Sequence, residues 1–165
     1  MNIKNNQNKL FQSEVQNVKK EWIDYNGHMN VAYYTLAFDK TFDIFLENIL
    51  EIGPTFVEKE NQGPYSIQAN YHYLDELILS DKFFSKVYLI DSDKKKIHLV
   101  LEMINFKTKH LVAVCETLLI NVDLNLRKSV EYSGDVIKKI LQYQDFCKKF
   151  KLPVQVGKNL NIKNK

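Results

Sequence analysis

Residues 22–34 read WIDYNGHMNVAYY, placing an acid, two amides, a glycine and a histidine within seven positions just ahead of an apolar run. Asp24 has the chemistry of a general base or of a carboxylate nucleophile. Asn26 and His28 are of the types that orient an acid or a water, and Gly27 permits close backbone approach. Asn30 suits a helix N-cap. Asp, Asn and Gly also make an ordinary turn, so the stretch reads equally as a helix start without chemistry. Its position matters, because the first N–H groups of a helix lack partners and the helix dipole favours negative charge there. A carbonyl becoming an oxyanion fits such a place, where one donor is worth about 100- to 1000-fold in rate.

Three rival chemistries fail on spacing. A calcium loop starting at Asp24 needs Gly at its sixth position and Glu at its twelfth, where Met29 and Thr35 stand. Zinc would combine Asp24 and His28 with a distant His72, His98 or His110, and no HExxH or CxxC accompanies them, so no metal is expected. No serine sits in a GxSxG elbow.

The elements that must hold this turn follow from periodicity. The run Val15 to Trp22 alternates enough to predict a strand. Val31, Tyr34, Phe38, Phe42, Phe45 and Ile49 recur at helical steps and predict an amphipathic helix of about five turns, capped by Asn30 and stopped by Gly53-Pro54. Ala32, Leu36, Ala37, Ile44 and Leu46 broaden its apolar stripe, so the helix should be wrapped. YSIQANYHYL, KFFSKVYLID, KIHLVLEMINF and LVAVCETLLINVD predict four strands separated by turn signals, with Lys94–Lys96 at a hairpin tip. A last helix is expected at about Ser133 to Lys151. The order predicts an α+β domain in which a curved antiparallel sheet wraps one long helix.

Composition sets the surroundings. The 165 residues, 45% hydrophobic and 26% charged, suit one globular domain over 12–152, with polar flexible ends at 1–11 and 153–165. Charged residues break every apolar run well short of the ~20 residues a bilayer needs, so no membrane association is expected. The N-terminus lacks a secretory pattern, which predicts a cytoplasmic protein. A net charge of +3, with many lysines near the ends, gives no clustered basic face for nucleic acid. Cys115 and Cys147 have neither zinc nor redox spacing and read as buried thiols.

EWIDYNGHMNVAYY, the aromatic helix behind it, and YLDELILSD followed by three strands and INVDLNLRK resemble the hotdog-fold acyl-CoA thioesterases of the 4-hydroxybenzoyl-CoA thioesterase type. The resemblance covers about residues 12–132 and is strongest to the betainyl-CoA-type thioesterases of carnitine and betaine catabolism, which carry a near-identical WIDYNGHMN. The D-x-N-x-H-x-N pattern is also similar to that of acyl-carrier-protein thioesterases. It implies a homodimer or dimer of dimers that hydrolyses an acyl-CoA at the subunit interface, with CoA as part of the substrate and no cofactor. Asp24 matches the catalytic carboxylate, as general base or nucleophile. Gly27 and His28 would offer N–H groups to the carbonyl, Asn26 and His28 side chains would orient the reactants, and Asn30 would hold the turn. From the partner, Gln68, Asn70, Tyr73 and Glu76 would complete the pocket. The carnitine-linked relatives carry an acid and a histidine in the places of Gln68 and Asn70, a departure that leaves the acyl group open. Trp22, Tyr25, Tyr33, Tyr71 and Tyr73 offer rings for a cationic acyl group or simply fill the core. Two alternatives remain. A hotdog enoyl-thioester hydratase resembles D-x-N-P-x-H, with the histidine five residues after the acid, whereas here His28 follows Asp24 by four and no proline intervenes. A non-catalytic acyl-binding hotdog protein would not need Asp24.

Overall fold

The computed structural model describes residues 9–162, so the expectations for 1–8 and 163–165 lie outside the described residues. Two short strands, β1 (Phe11–Gln12) and β2 (Gln16–Asn17), precede a 3-10 turn at Lys20–Trp22. The single strand expected from Val15 to Trp22 is therefore mostly absent. β1 and β2 each match β4 for two residues only, and the chain then turns inward to bury Trp22.

The central helix α1 (Val31–Phe45) continues through a π-helical turn at Leu46–Leu50, which gives the expected length. Asn30 caps it by accepting the Ala32 N–H at 3.0 Å. Tyr34, Ala37, Phe38, Thr41 and Phe45 are its buried residues, spaced as one face of a helix. The wrapping is one-sided, since Val31, Leu36 and Ile44 stay exposed although the broad apolar stripe predicts cover. The helix ends where Glu51 takes φ 56. Gly53-Pro54 does more than stop it: Gly53 caps and Pro54 opens a second helix, α2 (Pro54–Glu60), because proline's fixed φ suits the first helical position.

Strands β3 (Gln62–Tyr73), β4 (Lys82–Ser92), β5 (Lys96–Asn105) and β6 (Leu111–Asp123) lie close to the expected spans. With β7 (Lys128–Ser129) they form one antiparallel sheet in the order β1-β4-β5-β6-β3, with β2 on β4 and β7 on β6. This is the hotdog arrangement, with α1 against the sheet's inner face. Ile97, Leu99, Leu101 and Met103 of β5 and Phe38 and Phe45 of α1 are fully buried in the same core. Each such aromatic contributes about 3–5 kcal/mol, judged by truncation to alanine. α3 (Gly134–Cys147) packs on β4, where Tyr143 donates to the Val87 carbonyl at 2.9 Å. β3 ends the sheet, so its outer edge carries unpaired backbone groups.

Candidate active site

The turn is closed by its own backbone. Ile23 bridges Met29, the Asp24 N–H donates to the His28 carbonyl at 3.0 Å, and the Asn30 N–H donates to the Trp22 carbonyl at 2.9 Å. Within that loop the Gly27 N–H donates to the Asp24 carbonyl at 3.0 Å, with Gly27 at φ 84, where glycine is favoured. The Asp24 side chain, 15% exposed, points back over the turn. Its Oδ1 accepts the Asn26 N–H at 2.8 Å, its Oδ2 lies 3.5 Å from Asn30 Nδ2, and His28 Nε2 stands 3.8 Å from Oδ1.

These bonds sort the expected donors. Asn26 fixes the acid through its backbone rather than its side chain. The Gly27 N–H is spent inside the turn, whereas among the described residues the His28 N–H meets no acceptor. An open N–H thus sits beside a held carboxylate at the start of a helix. That pairing can polarise a carbonyl and deliver a base or nucleophile to it.

A chain of contacts ties the turn to the sheet. The Met29 N–H donates to the Leu77 carbonyl at 2.7 Å, and the Leu77 N–H donates to the Tyr34 hydroxyl at 3.2 Å. Tyr73 meets the Tyr34 ring edge-on at 5.3 Å. Burial first, and then the charges of Asp75 and Glu76, push the Tyr34 phenol up to about 12. Tyr71, also raised to about 12 mainly by burial, lies beside Tyr73, and the Thr35 hydroxyl interacts with both phenols. Tyr34, Thr35 and Leu77 carry no local signal for this role. Their places depend on how the sheet curves over α1.

Alternation along β3 separates the remaining candidates. Tyr71 and Tyr73 pair with Cys115 and Ala113 on the inner face, whereas Gln68 and Asn70 pair with Leu118 and Glu116 on the outer one. Gln68 and Asn70 line a cleft of about 170 Å³ with His98, Glu116, Gly157 and Lys158. There His98 Nε2 lies 2.8 Å from Glu116 Oε1, the Gly157 N–H donates to Glu116 Oε2 at 2.8 Å, and Asn70 Nδ2 donates to the Lys158 carbonyl at 2.9 Å. Within one chain this cleft is separate from the Asp24 turn. Glu76 is exposed beside Asp75, which His110 approaches at 3.9 Å. Among the described residues no group of three His, Cys, Asp or Glu side chains is placed to hold a metal.

The family description "Thioesterase-like superfamily" matches residues 18–141. The chain is 26% identical to the L-carnitine dehydrogenase/betainyl-CoA thioesterase of Rhizobium meliloti over 146 residues, 88% of this chain. It spans only 29% of the length of that relative. It is 22% identical to the betainyl-CoA thioesterase of Pseudomonas aeruginosa, covering 88% of this chain and 91% of that one. A hypothetical protein of Staphylococcus aureus, solved in complex with CoA, superposes with a TM-score of 0.87 at 25% identity, over 94% of this chain and 96% of that one.

Proposed function

As the chain belongs to the thioesterase-like superfamily, we propose that it hydrolyses an acyl-CoA to a free acid and CoA. The observation that carries the reading is the Asp24 carboxylate, held by the Asn26 N–H at 2.8 Å in the same turn as the His28 N–H, which meets no acceptor among the described residues, just ahead of α1. The thioester carbonyl oxygen accepts from His28, which stabilises the charge that develops on it. Asp24 either takes a proton from the attacking water or attacks the carbonyl carbon itself. In the first route the C–S bond then breaks and the thiolate takes up the proton. In the second, the C–S bond breaks as the acyl-aspartate forms, CoA leaves as a thiolate that takes up a proton, and water then cleaves the anhydride to the free acid and regenerates Asp24. Neither route needs a cofactor or metal, and the names of the relatives support a small betaine-like acyl group.

The protein acts as a homodimer or dimer of dimers, in the cytoplasm. Support for assembly comes from the open edge of β3, with Ile67 52% exposed, and from the uncovered apolar side of α1. A second copy joined there carries Gln68, Asn70 and Glu76 of one subunit toward the other's Asp24 turn. Light scattering should give a dimer or larger.

Thiol release from short, aromatic and betainyl-CoA esters, with Asp24→Ala as control, tests the activity. The variant should lose at least about 100-fold in kcat, the scale of losing one essential catalytic group. Equal release by the variant, or none by the wild type, removes the proposal. Water addition to an enoyl-CoA outrunning hydrolysis would install the hydratase instead.

A further inference from the structure

Asp24 takes up two of the three N–H groups at positions 26–28 of its own turn. Its Oδ1 accepts from Asn26 at 2.8 Å and its carbonyl accepts from Gly27 at 3.0 Å, while the third N–H, on His28, meets no acceptor among the described residues. Across the turn the Asp24 N–H donates to the His28 carbonyl at 3.0 Å, and Ile23 bridges Met29. Gly27 and His28 therefore stand together opposite the single residue Asp24, and the first of the two is a glycine at φ 84. That is the pattern of a three-residue hairpin loop ending in a glycine bulge.

The bulge decides which amide is left over. In regular antiparallel pairing Asp24 and His28 would exchange both bonds, the His28 N–H closing onto the Asp24 carbonyl. Here the left-handed backbone of Gly27 brings its own N–H to that carbonyl instead. The peptide after His28 is fixed at both ends, its carbonyl by Asp24 and its N–H, on Met29, by the Leu77 carbonyl at 2.7 Å. Leu77 is held in turn by the Tyr34 hydroxyl. Space does not require the glycine, since a Cβ at position 27 would meet nothing within 4 Å; only its φ does.

We propose that Gly27 is a positioning residue of the oxyanion site: its bulge, and not its own N–H, frees the His28 amide for the thioester carbonyl. The assignment rests on the proposed thioester hydrolysis and replaces the expectation that Gly27 itself donates. Positive φ is open to glycine, accessible to asparagine, unfavourable for alanine and rare for a β-branched residue. A residue that refuses it returns the Asp24 carbonyl to His28, and the oxyanion loses its donor.

Gly27→Asn, Gly27→Ala and Gly27→Val, assayed on whichever of betainyl-, butyryl- and benzoyl-CoA the wild type cleaves fastest, test the assignment together with hydrogen exchange at the His28 amide. kcat should fall in that order, by about 100-fold for valine, the scale of losing one oxyanion donor, while KM stays within twofold. The His28 amide should exchange at least tenfold more slowly in Gly27→Val than in the wild type, whereas mere loosening of the turn would speed it. A kcat for Gly27→Val within threefold of wild type, Gly27→Asn falling below Gly27→Ala, or His28 exchange that does not slow overturns the assignment while thioester hydrolysis stands. Hydrolysis of none of the three esters by the wild type would overturn both together.

Discussion

At the level of single residues, the Asp24 turn is held by groups of unequal visibility. Asn30 is legible as a cap because its role is local, and it caps Ala32 as its sequence position predicts. The use of the Gly27 N–H inside the turn is not legible, since it depends on φ 84 at that glycine rather than on residue type. The same holds for Asn26, whose side chain invites a role that its backbone performs. Asn30→Ala should therefore cost about 1 kcal/mol of stability as a lost cap. It should also lower kcat more than it raises KM, because Asn30 Nδ2 lies 3.5 Å from the Asp24 carboxylate. Urea unfolding and acyl-CoA kinetics on the same variant separate the two effects.

At the level of elements, the long strands were readable because β-branched and aromatic residues alternate along them and polar turns divide them. What escaped reading depends on neighbours distant in sequence. The two-residue pairings of β1 and β2 are set by where β4 runs, and α2 exists because the chain bends back after the π-helical turn. That bend is tight. A Cβ added at Gly53 would stand 2.6 Å from Glu47 Oε2 and 2.7 Å from both the Cα and N of Glu47. A side chain can rotate away, but the helix backbone must shift, so Gly53→Ala should cost about 1–3 kcal/mol, as overpacking does. Chemical denaturation should show a lower midpoint with an unchanged slope.

At the level of the whole molecule, buried phenols govern alkaline behaviour. An unfolded tyrosine releases its proton near pH 10. Burial holds Tyr34 and Tyr71 to about 12 and raises Tyr88, Tyr132 and Tyr143 further. The folded state thus keeps protons that the unfolded state has lost, so this stability is intact below about pH 10 and falls as pH rises toward 12. Circular dichroism at fixed urea should show loss of structure across that window, and Tyr34→Phe should make the loss shallower.

The same scale gives the segment after α3 its meaning. Its grip on the sheet uses the Gly157 N–H on Glu116 and the Lys158 carbonyl on Asn70, both main-chain groups. Leu152 and Val156 also pack against the cluster of Tyr88, Val100 and Val114, and Pro153 is buried, so part of the segment is held by side chains as well. Losing one residue between Pro153 and Gly157 would draw the Gly157 N–H away from Glu116. Homologous tails should therefore agree in length and stay apolar at 152 and 156, with glycine retained where φ reaches 74.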